Sequence, residues 1–279
     1  MQITQACSNI STNAQFSSKE EEEMNTQDIV NSMDRMPGNP DAAWIESIVS
    51  VAIKTGVLDL SVFVCPKFNT VALYSKQPEE YMPATADDPN DLFFQRIPKL
   101  KKVLADLKNT GVSPKLHILV GDNDAEVYIF PFMRGFNLNL AKFDKRRAAY
   151  LQSFEVRAGS LFSKDAEVQS LGLNNVVPGT SEAKVAEDEL QSELVFFGWL
   201  FGETGPYKGN LKFDQQTLEE MVRLKFALYG AQGKFLQKIG GILLQTEGPK
   251  IWLQRTRMLR CTGATTVPAI YPWIRKEEM

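Results

Sequence analysis

Gly240-Gly241-Ile242-Leu243-Leu244-Gln245-Thr246-Glu247-Gly248-Pro249 is the stretch that most narrows the choice of fold. A glycine pair stops a long helical pattern, a short apolar run follows, and a Gly-Pro break ends it. An apolar run of this length between two helices reads as a strand buried on both faces, the signature of a parallel sheet. In open α/β sheets ligands bind outside the carboxyl ends of such strands. Glu247 stands at that end, as a catalytic or binding acid or as a cap for the next helix.

The rest of the chain alternates in the same way. A helical pattern runs from Asp41, a fair N-cap after Pro40, to Thr55, with Trp44, Ile45, Ile48, Val49, Ala52 and Ile53 at helical spacing and Gly56 as its stop. Leu58 to Val64 is the first strand, ended by Cys65-Pro66. A long polar loop, Lys76 to Asn90, has the character of a cover over a strand-end site. A helix is expected from Asp91 to Thr110, beginning at or kinked by Pro98. The second strand is Lys115 to Val120, closed by Gly121-Asp122-Asn123-Asp124, and Val127 to Phe132 is a short strand or extended loop.

Leu140 to Phe162 reads as a helix carrying Lys142, Lys145, Arg146, Arg147 and Arg157 between Phe143, Tyr150, Leu151, Phe154 and Leu161. Residues 164–180 read as irregular. Thr180 or Ser181 is placed to cap a helix reaching Phe201, and Gly202 to Asn210 is a loop. Asp214 caps a helix to about Ile239, with an incomplete capping box because Thr217 stands where a Glu would complete it. After the strand at Ile242 come a helix from Lys250 to Leu259 and a last strand from Val267 to Ile274. This order predicts an α/β, Rossmann-like parallel sheet with helical layers.

Composition bounds the chemistry. The chain has 279 residues, 43% of them hydrophobic, enough for a sizeable core. Its net charge of −3 is uneven: residues 1–40 hold Lys19 and Arg35 against Glu20, Glu21, Glu22, Glu23, Asp28 and Asp34, a net −4 that leaves the remainder at +1. Polar and acidic, residues 1–40 are expected to be a disordered tail, with 41–279 a single Rossmann-like domain. Any nucleic-acid contact therefore has to come from a local basic face. The single histidine, His117, lies inside an apolar run and is expected to be a satisfied core residue.

Cys7, Cys65 and Cys261 show no CxxC spacing, so zinc ribbons and thioredoxin-like chemistry are excluded, and a reducing compartment fits an odd, sparse set. No run is long enough for a membrane span and no signal-peptide pattern opens the chain, so a soluble cytoplasmic protein is expected. Neither GxGxxG nor GxxxxGK[ST] is present, which disfavours ordinary dinucleotide and P-loop binding. Asp122 and Asp124 form either a divalent-ion pair or, more simply, a strand-end turn.

Three separated pieces, taken in order, resemble the tRNA-dependent cyclodipeptide synthases. That family has a Ser-Pro-x-Asn-like turn after its first strand, whose serine accepts an aminoacyl group; Cys65-Pro66-Lys67-Phe68-Asn69 is similar, with cysteine for serine and one extra residue before the asparagine. A strand ending in an aspartate and then an Arg/Lys-rich helix that grips tRNA resemble Asp122 and the Lys142–Arg157 helix. The family's strand ending Glu-Leu-Pro and its later Tyr-His pair resemble Glu247-Gly248-Pro249 and Tyr271-Pro272-Trp273, while Leu243 stands where the family has a tyrosine.

The resemblance implies a fold similar to the catalytic domain of class I aminoacyl-tRNA synthetases. It implies that two aminoacyl-tRNAs are joined into a diketopiperazine through an aminoacyl-enzyme, with no cofactor or metal. A divergent eukaryotic branch that uses arginyl-tRNA is also similar. Cys65, Glu247 and Tyr271 are then the catalytic candidates, as nucleophile, acid/base and oxyanion donor. Asn69, Asp122, Asp124 and Glu203 are substrate-binding candidates, the acids suiting a guanidinium. Lys142, Lys145, Arg146, Arg147 and Arg157 are the tRNA-binding candidates.

Each piece also has a plain structural alternative: Cys65 as a buried thiol, the basic helix as a solvated face, Tyr271 and Trp273 as strand-end core. Two other functions stay open. One is another Rossmann-like enzyme acting on an amino acid, such as an isocyanide-synthase-like transferase, and the other is a non-catalytic RNA-binding module.

Overall fold

The computed structural model describes residues 26–31, 33–34, 39–69, 71–74, 77–88, 92–122, 139–162, 166–170, 187–201, 213–244 and 267–272. Helical residues 26–31 form α1, and α2 spans Ala42–Thr55. Strand β1 (Val57–Val64) is followed by a single turn α3 (Val71–Tyr74) and a 3-10 turn at Pro78–Glu80. Then come α4 (Leu92–Asn109), β2 (Ser113–Val120), α5 (Leu140–Phe162), β3 (Ala166–Ser170), α6 (Glu187–Phe201), α7 (Gln215–Ile239), β4 (Ile242–Leu244) and β5 (Ala269–Ile270).

The five strands form one sheet in the order β3-β2-β1-β4-β5, and every pairing is parallel. The fold is thus α/β and Rossmann-like, as the alternation of patterns predicts. Register puts Ser61 beside His117 and Leu243, and His117 beside Glu167. Because side chains alternate along a strand, Leu58, Leu60, Val62 and Val64 face one way and Asp59, Ser61 and Phe63 the other. The first set joins the larger buried cluster, with Ile45 and Val49 of α2, Leu100, Val103 and Leu107 of α4, and Phe143, Tyr150 and Phe154 of α5. The second face carries a smaller cluster in which Leu236 of α7 meets Leu119, Leu243 and Ala269.

Local chemistry explains the ends of these elements. Gly56 ends α2 in the left-handed region, φ 72°, its N–H donating to Ala52 O at 2.8 Å. Asp214 caps α7 as its position predicts, accepting the Thr217 N–H at 2.7 Å. Helix α4 continues through Pro98, which is exposed, so the proline neither starts the helix nor breaks it. Buried Glu193 of α6 and Lys225 of α7 pair at 2.7 Å and lock the two helices together.

Three expectations change. The segment 164–180, expected to be irregular, contains β3; among the described residues its sequence Ala166-Glu167-Val168-Gln169-Ser170 pairs with β2 alone, so one side of a polar strand suffices. The tail does not stay outside the fold up to residue 40, because Ile29 and Met33 are 1% and 0% exposed and belong to the main core. Asp41 does sit at the N-cap position of α2, but its side chain makes no cap hydrogen bond there. Its Oδ2 instead accepts the Ala269 N–H at 3.0 Å. Asn39 Nδ2 donates to the Ala269 carbonyl at 3.0 Å, so two side chains occupy the outer edge of β5.

The 127–132 run, the 180–181 cap, the 202–210 loop, the 250–259 helix and residues 273–274 lie outside the described residues. Among the described residues no helix is long and apolar enough to cross a membrane.

Candidate functional site

The sheet order fixes where a site belongs. From β1 the chain crosses to β2 and then β3 on one side; β4 and β5 lie on the other. The reversal between β1 and β4 is a topological switch point, and the crevice outside the carboxyl ends there is the ligand position of such folds. Three of the candidate residues lie just past strands at this edge: Cys65 directly after β1, Asp122 two residues beyond β2, and Tyr271 directly after β5. Cys65 and Tyr271 flank β4, at the ends of strands two spacings, roughly 10 Å, apart. β4 itself leads into Gln245, Thr246 and Glu247. Glu247, Asp124 and Glu203 lie outside the described residues.

Cys65 is exposed, not the buried structural thiol of the plainer alternative. Pro66 ends the strand, and the Gly121 N–H donates to Val64 O at 2.8 Å, so the turn is fixed to β2 at its root. Its far end is held as well: the Asn69 N–H donates to Tyr81 O at 2.8 Å, and the Phe68 ring stacks on Tyr81 with centroids 4.9 Å apart. Asn69 itself is exposed. Tyr271 is half-buried, and the Arg96 guanidinium of α4 lies 5.8 Å from its ring centroid, a cation–π contact that orients the ring. Arg96 escaped notice in the sequence; the available sign was an arginine among Phe93, Phe94 and Ile97 on the apolar side of α4.

Asp122 is fully buried and lies 3.3 Å from Arg147 Nε, whose side chain is itself only 17% exposed. A carboxylate already matched by a buried arginine takes a substrate guanidinium only if that arginine moves. Arg147 in turn reaches from α5 to the strand-end Asp122 and is not part of an open basic surface. Three other basic residues of α5 are similarly engaged. Lys142 Nζ lies 3.4 Å from Glu79 Oε1 and 3.5 Å from Glu80 Oε1. Arg146 Nε donates to Met82 O at 3.0 Å, and Arg157 donates to Ala86 O while lying over the Phe94 ring. Lys145 is exposed.

Residues 77–88 thus form a strap between the basic side of α5 and the Cys65 turn. The Lys76–Asn90 loop was expected to cover a strand end, and its described part contacts the strand-end turn through Tyr81. Pro78, Tyr81, Met82 and Ala86 are buried beneath it, and Ser153 of α5 accepts the Ala86 N–H at 3.1 Å. At the other end Lys67 meets Asp88 at 2.7 Å.

His117 is buried, as its context predicts, but only half satisfied: Nε2 meets Asp59 Oδ1 at 2.8 Å, while Nδ1 faces Glu167 Oε2 at 3.6 Å, beyond hydrogen-bond reach. It sits mid-sheet, away from the switch-point edge. Among the described residues no group of His, Cys, Asp and Glu is placed to hold a metal ion.

The class these features define is a Rossmann-like α/β protein with an exposed thiol at the carboxyl edge of its central strand. No protein-family model, curated protein or solved structure matches the chain, so its particular activity rests on the residues themselves.

Proposed function

We propose that the protein joins two aminoacyl groups, delivered by aminoacyl-tRNAs, into a diketopiperazine through an aminoacyl-Cys65 intermediate. The observation that carries this reading is the exposed Cys65 thiol in a braced turn at the β1/β4 switch point, with Tyr271 on the far side of β4. The Cys65 thiolate attacks the ester carbonyl of one aminoacyl-tRNA, and the ribose hydroxyl leaves with the tRNA, giving a thioester. Amines of the two aminoacyl groups then form two amide bonds. One expels the second tRNA and the other expels the Cys65 thiolate. The ester and thioester carry the energy of both bonds, so the peptide-forming step needs no nucleotide. Glu247 takes the proton of an attacking amine or holds its ammonium form, and Tyr271 donates to the developing oxyanion. An arginyl group on one tRNA suits the acidic candidates Asp124 and Glu203.

The test is mass spectrometry of small products from cells expressing the full chain. A new diketopiperazine is expected with the native protein, and none with Cys65→Ala or Glu247→Gln at equal protein level. If native protein gives no product and purified protein incubated with charged tRNA gives none either, the reading is wrong.

One observation favours a second reading. Lys142, Arg146, Arg147 and Arg157 all make contacts within the protein, as expected of a Rossmann-like enzyme that acts on a free amino acid and never grips RNA. Such an enzyme keeps the need for Glu247 but loses no activity when Lys142 and Lys145 are neutralised.

A further inference from the structure

The contact between the strap and α5 is electrostatically lopsided. Residues 77–88 contain Glu79, Glu80, Asp87 and Asp88 and no Lys or Arg. Helix α5 carries Lys142, Lys145, Arg146, Arg147 and Arg157 against Asp144 and Glu155. An acidic segment therefore lies along a basic helix, as the phosphates of a bound RNA strand would.

The two kinds of contact differ. The strap's backbone is held firmly: Tyr81 and Met82 are buried, and Arg146 and Arg157 donate to backbone carbonyls, which no change of side chain at those positions removes. The contacts of Glu79 and Glu80 are of another sort. Both carboxylates reach the same ammonium, at 3.4 and 3.5 Å, and the Lys142 side chain is 46% exposed. The Glu80 side chain is 34% exposed and that of Glu79 18%, so both pairs are long and the outer one is open to solvent, which makes them weak beside a short buried pair. Two carboxylates around one ammonium also leave a net negative charge at the point where an incoming phosphate would meet α5.

We propose that Glu79 and Glu80 are a built-in competitor for the anionic ligand of α5: they occupy Lys142 until an RNA phosphate displaces them, while the strap stays anchored by its buried residues. This rests on the RNA-using reading above. It also accounts for the engagement of Lys142 within a protein that grips RNA, since the acidic pair sets a threshold that only a polyanion passes. A single carboxylate or free phosphate lacks the multiple charges needed to replace both acids.

The experiment is a salt series of binding of purified full-length protein to uncharged bulk tRNA. Variants are Glu79→Gln/Glu80→Gln, Lys142→Gln, the combination of the three, and a control, Glu46→Gln/Glu219→Gln, which removes the same charge from α2 and α7. Glutamine preserves shape, and thermal melting checks that each variant folds. The strap variant is expected to bind roughly three- to tenfold tighter at low salt, the control less than twofold. Lys142→Gln is expected to cost little in the native background and to abolish most of the gain in the strap background, a coupling that a general charge effect does not produce.

Binding seen only with the strap variant supports the proposal in its strongest form. If native protein binds tRNA but the strap variant binds no tighter, or the control gains as much, the competitor is ruled out and the RNA reading stands. If no variant binds tRNA at low salt, both fall.

Discussion

Gly241 is tightly confined by the central strand. Its φ is +73°, and a Cβ built on it would lie 2.0 Å from the carbonyl oxygen of Asp59, with Asp59 C at 2.7 Å. The obstacle is backbone of the central strand and cannot swing aside. Gly56 has a similar φ of +72° and nothing within 4 Å of its Cβ position. Gly56→Ala is thus expected to cost about 1–2 kcal/mol, the left-handed penalty alone. Gly241→Ala has to separate β4 from β1 as well and is expected to cost several kcal/mol more, read as a fall in the urea midpoint. Equal losses for the two variants would show that the β1/β4 approach is looser than its geometry. The glycine pair was legible as a helix stop, but the close approach of Gly241 to the central strand was not, because Asp59 is remote in sequence. His117 teaches the same lesson. Its apolar context announced a buried side chain, yet its neighbours Asp59 and Glu167 emerge only when three strands are set in register.

Elements with a strong apolar rhythm were legible almost to the residue. Helix α5 spans the expected Leu140–Phe162, and β1, β2, α4 and α7 shift by a few residues at most. What was hidden has a common cause, since its partners are remote. Strand β3 is polar because it lies at an edge, and α5 looked like an open basic face because Glu79, Glu80, Met82 and Ala86 lie some sixty to seventy residues earlier. The edge of β5 is the clearest case. Parallel pairing of Leu243 with Ala269 turns the Ala269 N–H and C=O outward, where Asp41 and Asn39 meet them. Asp41→Ala leaves that buried N–H without its partner and is expected to destabilise the protein by about 1–3 kcal/mol. Asp41→Asn keeps an acceptor oxygen and is expected to cost less. The check is urea unfolding of both variants; an alanine variant as stable as the native protein would mean that the edge contact contributes nothing.

At the scale of the whole molecule, the sheet divides the protein into two buried clusters, and the larger is closed from an unexpected direction. Composition assigned residues 1–40 to solvent, yet Ile29, Val30 and Met33 are buried among the residues of α2, α4 and the sheet. Three apolar side chains at helical spacing are too few to stand out from an acidic, polar surrounding; only their burial reveals the pattern. That burial makes the N-terminal helix part of the cooperative unit. At about 1.5–3 kcal/mol for each of the three buried side chains, its loss removes roughly 4.5–9 kcal/mol from a fold whose total stability is on the order of 5–15 kcal/mol. A chain lacking residues 1–38 keeps Asn39 and Asp41 at the β5 edge but uncovers the core beneath α1. It is expected to unfold at a much lower urea concentration and to expose apolar surface to a dye such as ANS. Ile29→Ala/Met33→Ala in the full-length chain separates the helix from everything before it. That double variant is expected to lower stability by about 4 kcal/mol or more, because each large-to-small change in a packed core costs about 2–5 kcal/mol. A full-length double variant with the native midpoint would show that α1 rests on the core without stabilising it, and that the effect of truncation arises elsewhere in the removed segment.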